Sequence, residues 1–325
     1  MLVAATTAGA ANSTRTHLSV LEPFSKHRRY HSPICKALAM DEDTRDVARD
    51  IGNCALNLGI EVEMPDGEAP QPKLRAVRAC NRRVCPFCEW RRTKALRRRF
   101  YEGLPRFHED FPTHKPIFLT LTVRNVAIED LKTSIRDMHL AWKRMTLCSF
   151  FPTPFWFRKT EITVERSAET KTETGRCHPH LHCLLMVPAG YFSHGYVKQT
   201  EWQKQWMMAA RLDYSPIVDV RRCRSRHRTS ESDTSASLGA ALEASKYAAK
   251  ATDLIKLGDS LGEYHRQVKG VRLTGVSGSL KPYVSDSEIS ETELTDGGES
   301  LPVESVKGTA VWFEDLQEYL FESLT

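Results

Sequence analysis

With 325 residues and 41% hydrophobic content, the chain exceeds one average domain and can bury one main core with smaller satellites. No apolar stretch approaches the roughly 18 residues of a membrane-spanning helix, which excludes an integral membrane protein of that kind. The net charge of +5 is modest, but Gln71 to Tyr101 holds eleven Lys or Arg against one acid, and Ser285 to Thr325 holds eleven Asp or Glu against one base. The first region attracts polyanions and the second repels them.

The opening twenty residues lack a charged start followed by a continuous apolar run, so they do not read as a secretory signal. They are acid-poor and rich in Ser and Thr, as an organellar transit peptide would also be. The preferred reading is a disordered arm over residues 1–45 of a cytoplasmic protein. Nine cysteines, an odd count with three of them between Cys80 and Cys88, point to metal binding in a reducing compartment and away from a disulfide framework.

Cys54 precedes a Pro/Gly-containing loop, Met64 to Pro72. Cys85 and Cys88 then have the C-x-x-C spacing that lets two thiolates bind one tetrahedral Zn2+, with Cys80 and Cys54 as third and fourth ligands. Free buried thiols are the alternative. The following run contains Arg91, Arg92, Arg97, Arg98 and Arg99, a basic helix suited to phosphate backbones, or else a solvated face. Residues 46–115 are read as this zinc-binding basic subdomain.

Pro116 to Asn125 is the clearest strand. Phe118, Thr120 and Thr122 alternate with Leu119, Leu121 and Val123, so a hydroxyl-bearing face backs an apolar one. Ile128, Leu131, Ile135, Met138, Trp142 and Met145 recur at steps of three and four, an amphipathic helix able to cover that sheet. Phe155 to Glu165 alternates again and leads through a polar turn to His178, His180 and His182. On a strand those imidazoles project to one face, a ready metal site that Glu161, favoured over Glu165, completes from the hairpin's other arm. A structural histidine cluster or a zinc staple is the alternative.

Thr200 and Gln203 fit a capping box ahead of a helix with Trp202, Trp206 and Ala210 on its apolar stripe. Ile217 to Val220 reads as a strand and Arg221 to Ser237 as a flexible loop. One helix is expected from Leu238 to Ile255, with Glu243, Tyr247 and Lys250 on one stripe and Lys246 beside them. A phenol with a free pKa near 10 needs a polarised target or a cationic neighbour to act as a nucleophile, and Lys250, with Lys246 beside it, could supply the second. A surface Glu–Lys helix is the alternative. Residues 116–256 form this domain, and residues 257–325 are read as a linker and acidic tail ending in a helix over Val311 to Leu324.

Three motifs stand in order: Phe118-Leu-Thr-Leu-Thr122, His178-Pro-His-Leu-His182, and Lys246-Tyr247 with Lys250. Together they resemble the rolling-circle plasmid replication initiators, the Rep proteins of the HUH endonuclease class. The Cys54…Cys80-x4-Cys85-Pro-x-Cys88 pattern with Trp90-Arg-Arg is similar to the zinc-ligand pattern of one branch, and the whole resemblance covers roughly residues 50 to 255. It implies an α+β fold with an antiparallel HUH sheet flanked by helices, a small N-terminal zinc-binding subdomain and disordered termini.

The resemblance also implies that His180, His182 and Glu161 hold Mg2+ or Mn2+ against the scissile phosphate of a plasmid origin. Tyr247 would become 5′-phosphotyrosine and free a 3′-OH. Many relatives carry a second tyrosine one helical turn away; here that position is Glu243, which matches a single-tyrosine branch whose glutamate activates water. His178 would contact DNA or serve as a third ligand. Expected partners are double- and single-stranded origin DNA, a host helicase, a single-strand-binding protein and DNA polymerase, with a dimer allowed and no membrane. Competing readings are a transposase or relaxase of the same class and a non-catalytic zinc-dependent DNA-binding regulator. A zinc nucleobase deaminase fails because no H-x-E precedes the C-x-x-C.

Overall fold

The computed structural model describes residues 15–166, 173–223, 233–245, 248–285, 287, 289–290, 292–296 and 304–323. Two units result: residues 1–92 together with 289–325, and residues 93–288. The chain begins with β1 (Thr16–His17), α1 (Glu22–Arg28), α2 (His31–Ala39) and α3 (Arg45–Gly52). The strands β2 (Asn57–Met64) and β3 (Gln71–Val77) follow, then α4 (Pro86–Asp110), within which the unit boundary falls.

Next come β4 (Lys115–Thr122), β5 (Val126–Ala127), α5 (Leu131–Thr146), β6 (Trp156–Arg166), β7 (Glu173–Val187) and α6 (Gln199–Ala210). The second unit closes with β8 (Val218–Arg222), α7 (Asp233–Ala244), α8 (Ala251–Lys256), α9 (Leu261–Val268) and β9 (Thr274–Val276). The last strands, β10 (Glu304–Phe313) and β11 (Glu318–Ser323), belong to the first unit. Among the described residues no helix is long and apolar enough to cross a membrane.

The first unit is built on an antiparallel sheet of order β1-β11-β10-β2-β3. Two expectations are corrected here. Within the stretch read as a free arm, residues 22–39 carry two helices that bury Phe24, Ile34 and Leu38. Helices this short show too few turns for a local period to stand out. The tail expected to be a helix over Val311 to Leu324 is instead a hairpin, with Trp312 opposite Tyr319 and a turn through Gln317 at φ +55°. Its apolar residues fit a step of three or four on paper. Pairing of β10 with β2, and of β11 with β1, lies far away in sequence and decides for strand. Gly308 allows the close approach of β11 to β10, because a Cβ there would lie 2.2 Å from the Glu322 carbonyl oxygen.

The second unit has an antiparallel sheet of order β8-β4-β7-β6-β9, with β5 also on β7. Alternation sorts its side chains as expected. Leu119, Leu121, Leu181, Cys183 and Leu185 point into a core closed by Met138 and Trp142 of α5 and Trp202 and Trp206 of α6. On the opposite face the Phe157 ring packs edge-on, 5.0 Å from Phe100 of α4, and His108 of α4 meets the Ser237 hydroxyl of α7 at 2.8 Å.

Three local expectations fail in this unit. The helix α6 starts at Gln199 with no side-chain cap, so Thr200 and Gln203 lie inside it and not at its cap. The segment past Gly270 contributes β9, which pairs with β6, where a linker was expected. The continuous helix from Leu238 to Ile255 is two helices, α7 and α8, with extended backbone at Lys250. Competition from the sheet explains the break: the Ala248 carbonyl accepts from the Ile162 N–H at 2.7 Å, and the Ser245 carbonyl from Lys159 Nζ at 3.3 Å. Bonds to the strand replace helical ones at those carbonyls.

Candidate active site and metal centres

Strand register decides which side chains share the polar face. Thr120 and Thr122 of β4 lie opposite His182 and His180 of β7, and Glu161 of β6 lies opposite His180 from the other side. Directly opposed residues of an antiparallel pair point to the same face, so the motif and the carboxylate converge. One Glu161 oxygen is 2.9 Å from His182 Nε2 and 3.7 Å from His180 Nε2. The three residues each offer an atom within 4.8 Å of the others. Burial alone would raise the Glu161 carboxyl, but hydrogen bonds and charge from His180 and His182 outweigh it and hold the group well below the usual carboxylate range.

Each imidazole is also held from behind. His182 Nδ1 is 3.3 Å from Thr120 Oγ1, and His180 Nδ1 is 3.2 Å from the His178 carbonyl oxygen. With both Nε2 atoms given to a cation, the Nδ1 atoms carry the protons and donate to those oxygens, which fixes ring orientation. Two imidazoles and one carboxylate are a donor set that fits a divalent cation. Replacing Thr120 with the isosteric valine is therefore expected to weaken Mn2+ binding by roughly 10-fold while leaving the thermal melt in place. Mn2+ titration by calorimetry checks it, and unchanged affinity would remove Thr120 from the site.

His178 stands apart from this group. Its ring centre is 5.3 Å from that of His180, its Nε2 is buried without a hydrogen-bond partner, and burial lowers its pKa. Glu165 is engaged elsewhere, 3.4 Å from Arg176 Nε and hydrogen-bonded by Asn125, so the carboxylate at the histidines is Glu161.

Tyr247 and Lys246 lie outside the described residues. Their neighbours in sequence are anchored to β6: Ser245 by Lys159, two residues before Glu161, and Ala248 by Ile162, the residue after it. Arg97 Nε also donates to the Ser245 hydroxyl at 3.3 Å. Glu243 is half-buried on α7, and its charge, after burial, helps push the Cys223 thiol up to about 12. Lys250 stands at the start of α8, so it and Glu243 do not share one helical stripe.

In the first unit the sulfurs of Cys54, Cys80, Cys85 and Cys88 all lie within 4.8 Å of one another, and none is in a disulfide. The Cys54–Cys88, Cys80–Cys88 and Cys85–Cys54 separations are 3.6, 3.7 and 3.7 Å. Bonds of about 2.3 Å to a tetrahedral zinc would set sulfurs roughly 3.8 Å apart, so the donor set fits that ion. Hydrogen bonding with the three other thiols holds Cys88 well below the usual range. His31, which sequence reasoning missed, places Nε2 3.5 Å from Cys85 Sγ. It stands more than twenty residues before the first ligand, and no local spacing could have flagged it.

The basic run divides. Arg91 is corrected from a DNA contact to a structural residue: it is 1% exposed, and its guanidinium binds the Leu294 carbonyl and the Asp296 carboxylate. Burial of that charge is sustained by those partners. Arg92 binds the Asn81 and Arg82 carbonyls of the cysteine loop, and Arg99 binds the Ser285 and Ser287 carbonyls. Arg98 is half-buried on the same helix.

A family model described as a replication protein matches residues 71–317. A protein named "Protein rep" from Bacillus amyloliquefaciens is 30% identical over 300 residues, covering 85% of each chain. Another "Protein rep" from a Bacillus species is 32% identical over 256 residues, 71% of this chain and 78% of that one. One from Streptococcus pneumoniae is 26% identical over 262 residues, 75% of this chain and 76% of its own. No solved structure matches the chain.

Proposed function

The chain belongs to the replication protein family, and from that premise we propose that it starts rolling-circle replication of a plasmid by nicking one strand at the origin. The Tyr247 oxygen attacks the scissile phosphorus and forms a P–O bond as the bond to the 3′ oxygen breaks. The phenol proton passes to solvent, and the departing oxygen takes one from water. The products are a 5′-phosphotyrosine, which keeps the energy of the bond for later closure, and a 3′-OH primer for the host polymerase. Glu161, His180 and His182 would hold a divalent ion, Mg2+ or Mn2+, which when bound would supply polarisation of the phosphoryl oxygen. Host helicase and single-strand-binding protein complete the set of partners, and a Zn2+ on the four cysteines is structural.

One observation carries this reading. The carboxylate and two imidazoles converge on a single sheet face, and the chain on either side of Tyr247 is hydrogen-bonded to residues flanking Glu161 in β6. Lys250, at the start of α8, and Arg97 of α4, which donates to the Ser245 hydroxyl, are the cations that favour a phenolate and its phosphate. Glu243 serves a later step, taking the proton of the water that releases the phosphotyrosine.

The test is supercoiled plasmid carrying the cognate origin. Nicking is expected only with added Mg2+ or Mn2+, leaving protein on the 5′ end. Glu243→Ala is expected to nick at a near-normal rate and to accumulate the covalent adduct about 10-fold or more, as befits loss of a general base. Gel analysis after denaturation reads both species. Equal loss of nicking and adduct in Glu243→Ala would defeat the assignment of that residue, and nicking indifferent to divalent ions would defeat the role of the metal group.

A further inference from the structure

The strand that carries Thr120 and Thr122 leaves the sheet after Thr122, and the residues it meets there have no part in the chemistry above. The Arg124 backbone N–H donates to the Tyr214 hydroxyl at 2.7 Å, and the Arg124 guanidinium carbon sits 3.8 Å from the centre of the Tyr214 ring. Arg124 keeps 66% of its side chain exposed. An ion pair at 3.8 Å joins it to Asp213, a carboxylate that is itself 88% exposed. Solvent screens such a pair, so the cation keeps most of its attraction for other anions.

This stacked pair stands beside the metal group in sequence and register. Thr122 lies opposite His180, and Arg124 follows two residues later, at most about 7 Å along the chain. The loop is fixed from both sides, since the Ile217 carbonyl accepts from Thr122 N–H and Oγ1, and Trp206 Nε1 donates to the Thr122 carbonyl. Ile217 itself is 73% exposed, an apolar side chain turned to solvent.

A half-buried aromatic ring, an exposed guanidinium against it and an exposed aliphatic side chain three residues further on make a surface for a flat π-faced group that carries negative charge. An unpaired nucleobase on a phosphate backbone has that chemistry, whereas a base inside a duplex has both faces covered. We propose that Arg124 and Tyr214, flanked by Ile217, form a platform on which one base of single-stranded DNA stacks next to the metal group. The proposal rests on the reading that this group acts on DNA, but it concerns binding alone.

Full-length protein without added divalent ion is titrated, by fluorescence anisotropy, into a labelled ten-nucleotide oligothymidylate and into the same backbone with every base removed. Tyr214→Leu, which keeps apolar bulk and loses the ring, is expected to weaken oligothymidylate binding about 5- to 100-fold and to change abasic binding less than about twofold. Tyr214→Trp is expected to restore the oligothymidylate affinity. Arg124→Lys, with the charge kept and the plane lost, should fall between. Thermal melts of each variant check folding. Equal effects on both oligomers, or none on either, would overturn the platform. No bond is cut in this assay, so a failure of Tyr247 as nucleophile would leave its result standing, and the reverse also holds.

Discussion

Tyr247→Phe is expected to leave no covalent protein–DNA adduct and to lower nicking of origin-bearing plasmid by about four orders of magnitude or more. Phenylalanine preserves ring, volume and helix or loop preference and removes only the attacking oxygen. Loss of the nucleophile from a set of residues that act as one unit removes nearly all of the chemical step, and what remains reflects binding and electrostatics alone. The metal group is untouched by this change, since Glu161, His180 and His182 are positioned by strand register and by Thr120 and the His178 carbonyl. Mn2+ affinity and oligothymidylate affinity should therefore stay within about twofold of the parent protein, inside the spread of measured additivity for independent sites. An adduct of normal yield in this variant would pass the nucleophile's role to another hydroxyl and end the present assignment.

Cys88→Ser is expected to abolish zinc binding and to unfold the unit formed by the two ends of the chain. Cys88 lies 3.6 Å from the Cys54 sulfur and 3.7 Å from that of Cys80, and hydrogen bonding within the group of four holds its thiol well below the usual range. Serine replaces it with a poor ligand for zinc. A structural zinc site contributes on the order of 10–16 kcal/mol of apparent binding energy, whereas a whole domain is stable by only about 5–15 kcal/mol. Its loss is therefore enough to tip the balance. Metal analysis should fall from one zinc per chain to none, and the melt should lose one transition. Cys148→Ser, at an exposed cysteine outside the cluster, should change neither. A zinc-free Cys88→Ser protein with an unaltered melt would show that the four sulfurs hold nothing the fold needs.

Much of the candidate site is legible in the sequence because its signals are short in range. Period two in His178 to His182 and in Phe118 to Thr122 assigns side chains to faces without knowledge of neighbours, and the faces are those found. Cysteine spacing likewise names the four sulfurs that the structure brings together. Tertiary structure alone decided the rest. Strict alternation puts Glu161 and Glu165 on the same face of one strand, and only the register of the hairpin, which shifts between Val164 and Arg166, with Arg176 and Asn125 engaging Glu165, separates them. Arg91 is indistinguishable from its basic neighbours until Asp296, some two hundred residues later, is seen to bind it. The break after α7 and the strand character of the tail have the same origin, a partner strand far away in the chain that outcompetes the local helical preference. Propensity and periodicity act over a turn or two, whereas a sheet gathers its strands across the whole chain, so residues set by their own neighbours could be read directly and residues set by a distant partner could not.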